Sequence, residues 1–71
     1  MPKLYSSDEI CKILEKHGFK LVSQRGSHVK YRKEGDPTLT VIVPAGRKQT
    51  PVGTFNSILR QSNLSRKDFE K

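Results

Sequence analysis

The fold is decided between Phe19 and Val43, where the chain reads FKLVSQRGSHVKYRKEGDPTLTVIV. Three runs rich in β-branched and aromatic residues are separated there by two groups of turn-forming residues. Phe19 to Arg25 reads as a strand, Gly26-Ser27 as a two-residue break, and His28 to Lys33 as the hairpin partner. Glu34-Gly35-Asp36-Pro37 has the composition of a turn. Leu39 to Val43 is a third strand, stopped by Pro44 because proline has no ladder N–H. Strict alternation assigns the faces. Phe19, Leu21, Val29, Tyr31, Leu39, Val41 and Val43 look one way, and Lys20, Val22, Gln24, His28, Lys30, Arg32, Thr40 and Ile42 the other.

Helical patterns flank these strands. Ser6-Ser7-Asp8-Glu9 has the spacing of a capping box, in which the Ser6 hydroxyl accepts from the Glu9 amide and the Glu9 carboxylate reaches back to the cap. Ile10, Ile13, Leu14 and His17 follow at helical spacing, and Gly18 supplies the left-handed residue that ends the helix. After the basic loop Ala45–Gln49, Thr50 is expected as the N-cap of a second helix with Pro51 at its first position. Val52, Phe55, Ile58 and Leu59 form its apolar stripe, and Asn63 is expected as a left-handed stop. Ser65-Arg66-Lys67-Asp68 reads as a short capped turn that places Phe69 against the core. The order α-β-β-β-α predicts an α+β domain: a three-stranded antiparallel sheet with both helices on one face, since each helix has one apolar stripe to hide.

Seventy-one residues make a single domain, spanning 1–71. A chain this short buries only about 60% of the surface its unfolded form exposes, so its core is thin. One cysteine excludes an intramolecular disulfide and leaves no zinc pattern, so no metal and no cofactor are expected. Cys11 reads as a small hydrophobe in a reducing compartment. The longest apolar run, Val41-Ile42-Val43, is too short to span a membrane, and Met1-Pro2-Lys3-Leu4 has no secretory hydrophobic region. A cytoplasmic protein is expected.

Charge gives the first functional direction. Fourteen Lys/Arg against seven Asp/Glu leave +7. Residues 1–18 sum to zero, whereas residues 19–48 hold seven cations and two acids. A basic middle in a compact domain suits a polyanion such as RNA, and it suits an acidic protein partner equally.

His28 stands at the hairpin end with Lys30 and Arg32 on its face. An imidazole exchanges protons near neutral pH, and neighbouring cations neutralise a phosphate. RNA cleavage needs a base for a hydroxyl nucleophile, an acid for the leaving oxygen, and positive charge for the transition state. The same spacing describes an ordinary exposed strand histidine, and the residues alone leave both readings open. His17, on the apolar stripe at a helix C-terminus, fits packing or capping. Gly26 supplies a turn with positive φ and close backbone approach, and Ser27 completes the turn or donates to a phosphate. Arg25, Lys30, Arg32, Arg47 and Lys48 are candidate phosphate contacts, the last two near the N-terminus of the second helix. Tyr31 is assigned to the core. No nucleotide-binding loop, metal-binding helix or nucleophile elbow is present.

Gly18-Phe19, Gly26-Ser27-His28, Val43-Pro44 and Gly53-Thr54-Phe55 with Ile58-Leu59 together resemble the HicA toxin family, from about Ser6 to Phe69. The resemblance implies a fold like the double-stranded RNA-binding domain. It also implies a metal-independent endoribonuclease acting on messenger RNA, a monomeric toxin held in a hetero-oligomeric complex by a cognate HicB antitoxin. The histidine of the family's Gly-Ser-His motif maps onto His28, as the residue on which toxicity depends. Many members carry a further histidine after the proline that ends the third strand. Here the positions read Ala45-Gly46-Arg47-Lys48, so that group is missing or replaced by a cation.

The alternatives are a non-catalytic RNA-binding module on the same fold and a protein that grips an acidic partner. On the alternation above, Val22 and Ile42 share the open side of the sheet with His28 and Lys30. These four residues are the expected antitoxin-binding patch, apolar beside basic.

Overall fold

A computed structural model describes residues 3–70; Met1, Pro2 and Lys71, and with them part of the N-terminal reading, lie outside it. The elements run α1 (Ser7–Lys16), β1 (Lys20–Arg25), β2 (His28–Lys33), β3 (Leu39–Pro44), α2 (Val52–Ser62) and a final 3-10 turn (Arg66–Phe69). The three strands form one antiparallel sheet in the order β1-β2-β3. Both helices pack on β3, giving the α+β architecture that the periodicities predict.

Local chemistry explains each boundary of α1. The Ser6 hydroxyl accepts from the Glu9 amide at 3.1 Å, and the Glu9 carboxylate accepts from the Ser6 amide at 2.9 Å. At the other end Gly18 has φ +95°, which only glycine adopts without strain. There the Gly18 amide donates to the Glu15 carbonyl and the Phe19 amide to that of Leu14, a Schellman closure. The closure turns Phe19 directly into the core, where it is 2% exposed.

The Glu9 carboxyl is held below its ordinary value near 4.5, first by the Ser6 amide and then by Lys3, whose Nζ lies 3.3 Å away. Because the folded value is depressed, this stabilisation is complete above the ordinary value and is lost as pH falls through the lower folded one. Glu9→Gln keeps an oxygen acceptor but no charge. It should melt below the parent at neutral pH, and the gap should close in strong acid. A gap that stays constant across the pH range would show that charge at Glu9 does nothing for the cap.

The core lies between β2, β3 and the helices. Ile10, Leu14, Phe19, Val29, Tyr31, Val41, Val43, Phe55 and Ile58 are all buried there. Tyr31 is 4% exposed and its hydroxyl donates to Glu15 at 3.0 Å, so it belongs to the core. Burial, with Cys11 and Glu15 alongside, pushes its phenol well above the usual range. Burial also raises the Cys11 thiol, leaving little nucleophilic thiolate.

Five expectations need correction. β1 carries a bulge: Leu21 pairs with Tyr31, but Ser23 pairs with Lys30, so Val22 is an extra residue. As a result Gln24 stands opposite Val29 on the helix side, not on the open face. Leu21 is on the expected side yet 53% exposed, because β1 is an edge strand that the helices do not cover. The N-cap of α2 is Pro51 rather than Thr50. The Thr50 amide donates to the Tyr5 carbonyl at 2.8 Å, which draws Thr50 into the core and delays the helix by one residue. Val52, in the first turn of α2, is 40% exposed rather than packed. Asn63 takes the left-handed conformation, φ 61°, as expected.

The two sheet edges differ. Along β3, the Gln61 side chain of α2 accepts the Ile42 amide at 2.9 Å and so satisfies part of that edge. The β1 edge is open, and all six of its residues are exposed.

Candidate functional site

The open face of the sheet is built from alternate residues of each strand. Across β1 and β2, Lys20 stands opposite Arg32, Ser23 opposite Lys30, and Arg25 opposite His28. Across β2 and β3, His28 stands opposite Pro44, Lys30 opposite Ile42, and Arg32 opposite Thr40. Four cations and one imidazole therefore look away from the helices.

The hairpin that carries His28 closes through Gly26, φ 55°, with Ser27 on the ordinary side of the map. A two-residue loop with glycine first matches the right-handed twist of its strands, which fixes His28 as the first residue of β2. The Ser27 carbonyl accepts from the Ala45 amide, so the loop after β3 is tied against this turn. Ser7 holds the same loop from below. Its hydroxyl donates to the Pro44 carbonyl at 2.6 Å and accepts from the Arg47 amide at 3.0 Å, while its own amide donates to the Arg47 carbonyl at 2.9 Å. Ser7 is 3% exposed, and these three bonds anchor the backbone that leads to Lys48.

Arg25, His28, Lys30, Ser23 and Ile42 line one hollow of about 500 Å³. His28 is exposed, Lys30 and Ile42 half-buried. Of the residues singled out in the sequence, Arg25, Gly26, Ser27, His28 and Lys30 thus gather at one end of the sheet. Arg47 and Lys48 are exposed on the neighbouring loop but do not line the hollow. Arg32 lies four residues along β2 from His28, about 13 Å at strand rise, at the other end of the face. Val22 is 44% exposed at the bulge and lies outside the hollow that Ile42 enters.

Sequence reasoning missed Ser23 and Ser7. The alternation gives Ser23 no site role, and only the bulge brings it opposite Lys30 and into the hollow that His28 lines. The cap reading falls on Ser6 and gives Ser7 no role; no local signal marks Ser7 as the serine that reaches a loop some forty residues away.

A second hollow, of about 560 Å³, lies between α1 and the 3-10 turn, around Tyr5, Ile13 and Phe69. It is larger and more apolar, but its lining offsets three cations with two carboxylates. The sheet-face hollow has cations and an imidazole with no carboxylate in its lining, so it is the one suited to an anionic ligand. Among the described residues no three His, Cys, Asp or Glu side chains gather to hold a metal ion. Nor is any helix among them long and apolar enough to cross a membrane.

Comparison with known proteins agrees with this geometry at the level of family. No curated protein matches the chain. The family model for the HicA toxin of bacterial toxin–antitoxin systems matches residues 7–64, from the first residue of α1 to just past α2. That span contains the whole sheet, the Gly-Ser-His turn and the loop tied to it. The chain belongs to the HicA toxin family of bacterial toxin–antitoxin systems.

Proposed function

We propose that this toxin is an endoribonuclease that cleaves messenger RNA in the cytoplasm, with His28 as its general acid–base group. The observation that carries the reading is the exposed imidazole at the hairpin end, inside a hollow shared with Arg25 and Lys30. Exposure lets a ribose–phosphate linkage reach the ring, and the cations attract and hold the phosphate. Lys20 and Arg32 extend the positive face for neighbouring phosphates. Gly26 and Ser27 offer close backbone approach and a hydroxyl donor, and Arg47 and Lys48 flank the turn. No metal takes part in this scheme: the proton steps fall to His28 and water.

A toxin of this family has an antitoxin partner. We assign that partner to the HicB type and its footprint to the same face. Ile42 and Lys30 beside His28, with the exposed Val22 at the sheet edge, supply apolar contact next to positive charge. An inhibitor with an acidic rim seated there would bury the imidazole.

The test is purified protein with a messenger RNA in the presence of a metal chelator. Cleavage into discrete fragments is expected, with affinity that falls steeply as salt rises, since each neutralised phosphate releases counterions. Salt-sensitive binding without cleavage would replace this reading with a non-catalytic RNA-binding module. Absence of RNA affinity even at low salt would leave the basic face as a grip for a protein.

A further inference from the structure

β1 holds one residue more than its partner strand can pair. The register slips between Leu21 and Ser23, and Val22 is the residue left over. In an unbroken ladder, side chains five residues apart face opposite sides, so Lys20 and Arg25 would be separated by the sheet. The bulge cancels that. Lys20 faces out opposite Arg32, and Arg25 faces out opposite His28. An extra residue in an edge strand sacrifices ladder bonds, and what it secures here is the direction of the residues that follow it.

Arg25 and His28 are the last pair of the hairpin, joined by the Gly26-Ser27 loop. Directly opposed side chains on one face start about 4.5–5.5 Å apart at Cβ. Both line the hollow with Ser23, Lys30 and Ile42. We propose that Arg25 is the second catalytic group of this site. Its guanidinium holds the non-bridging oxygens of the phosphate whose ester bond His28 helps to exchange. This rests on the ribonuclease reading above.

Arginine suits that role better than its neighbours here. Its planar fork takes two phosphate oxygens at once, whereas Lys30 is a point charge on His28's own strand, about 7 Å along it. The Arg47 and Lys48 side chains do not line the hollow.

In the step itself, the 2′-oxygen forms a bond to phosphorus as the bond from phosphorus to the 5′-oxygen breaks. The 2′-hydroxyl proton passes to the His28 imidazole. The 5′-oxygen takes a proton from water, and the hydroxide so formed takes back the proton from His28. A cyclic phosphate and a 5′-hydroxyl result, and nothing is consumed. Negative charge on the non-bridging oxygens peaks in the transition state, where a guanidinium that stays protonated throughout lowers the barrier.

Three variants test the assignment: Arg25→Gln, Arg25→Lys, and the exchange Gln24→Arg with Arg25→Gln. All change exposed positions of an edge strand, and melting curves check that each is folded. Arg25→Gln should lower kcat at saturating RNA by about 10²–10³, the scale for loss of one oxyanion donor, with a much smaller change in KM. Arg25→Lys should recover part of the loss. The exchange keeps the net charge but puts arginine opposite Val29 on the helix side, so it should be as slow as Arg25→Gln. An exchange variant that cleaves like the parent would reduce Arg25 to one charge among many and overturn the proposal. So would a loss confined to KM. A parent protein that cleaves no RNA overturns the ribonuclease reading and this inference together; a cleaving parent indifferent to Arg25 overturns the inference alone.

Discussion

Replacing His28 by alanine should leave a folded protein that still binds RNA but cleaves it about 10²–10⁴ times more slowly, the contribution of a positioned acid–base group. The fold should not notice the change. His28 is exposed, makes no side-chain hydrogen bond among the described residues, and faces away from the core. What fixes its position is backbone: the glycine-first turn, the ladder with Arg25 and Pro44, and the Ala45 amide on the Ser27 carbonyl. Affinity should change little, because Lys20, Arg25, Lys30 and Arg32 remain. Single-turnover cleavage, RNA binding and thermal melts on the same preparation separate these effects. Parent-like cleavage by His28→Ala would remove the imidazole from the mechanism. Equal losses of cleavage and melting temperature would make it a structural residue instead.

The contrast between what the sequence discloses and what it conceals follows the range of the interactions. Helix α1 is written locally: a capping box, an apolar stripe and a glycine stop lie within about a dozen residues, and the structure follows them. β2 is equally plain, since Val29 and Tyr31 differ sharply from His28, Lys30 and Arg32 in what they tolerate. β1 is not. Leu21 and Val22 are both apolar, so period-two reading had no reason to insert an extra residue between them. The slip therefore moves Gln24 to the helix side and turns Ser23 to the open face, while leaving His28 untouched. Thr50 failed for another reason. A threonine before a proline is a sound local cap, but Tyr5 takes the Thr50 amide across 45 positions, a contact no window of sequence contains. The consequence is a buried hydroxyl with no partner, at a cost of about 1–3 kcal/mol, offset by the packing that drew it in. The candidate site was legible where it depends on one turn and one strand. It was illegible where it depends on how a neighbouring strand is paired.

Phe69→Ala should be the most destabilising of the substitutions considered, by about 3–5 kcal/mol. The family match ends at residue 64, yet the core does not. Phe69 is 2% exposed, 5.0 Å from the Phe55 ring in an edge-on contact and 5.9 Å from that of Tyr5, which itself lies 5.2 Å from Phe55. Tyr5 and Phe69 both fall outside the matched span, so this aromatic trio ties the chain's two ends to α2. One turn of 3-10 helix could not hold Phe69 there by propensity alone. The Asp68 carboxylate fastens it by accepting from the Ser65 amide at 2.8 Å and the Ser65 hydroxyl at 3.1 Å. Arg66 adds a bond to Asn56 and lies over the Phe55 ring. Truncation to alanine removes the largest side chain of the turn and two aromatic contacts, each worth about 0.5–1.5 kcal/mol beyond burial. A domain of this size has roughly 4–11 kcal/mol of stability in total, at 0.05–0.15 per residue. Urea unfolding should show most of it gone, whereas Phe69→Leu should retain the greater part. Cleavage by Phe69→Ala, assayed cold where it still folds, should stay near the parent's, because the sheet face that carries His28 lies on the far side of the molecule. A loss under about 1 kcal/mol would mean that the tail merely rests on a core complete without it.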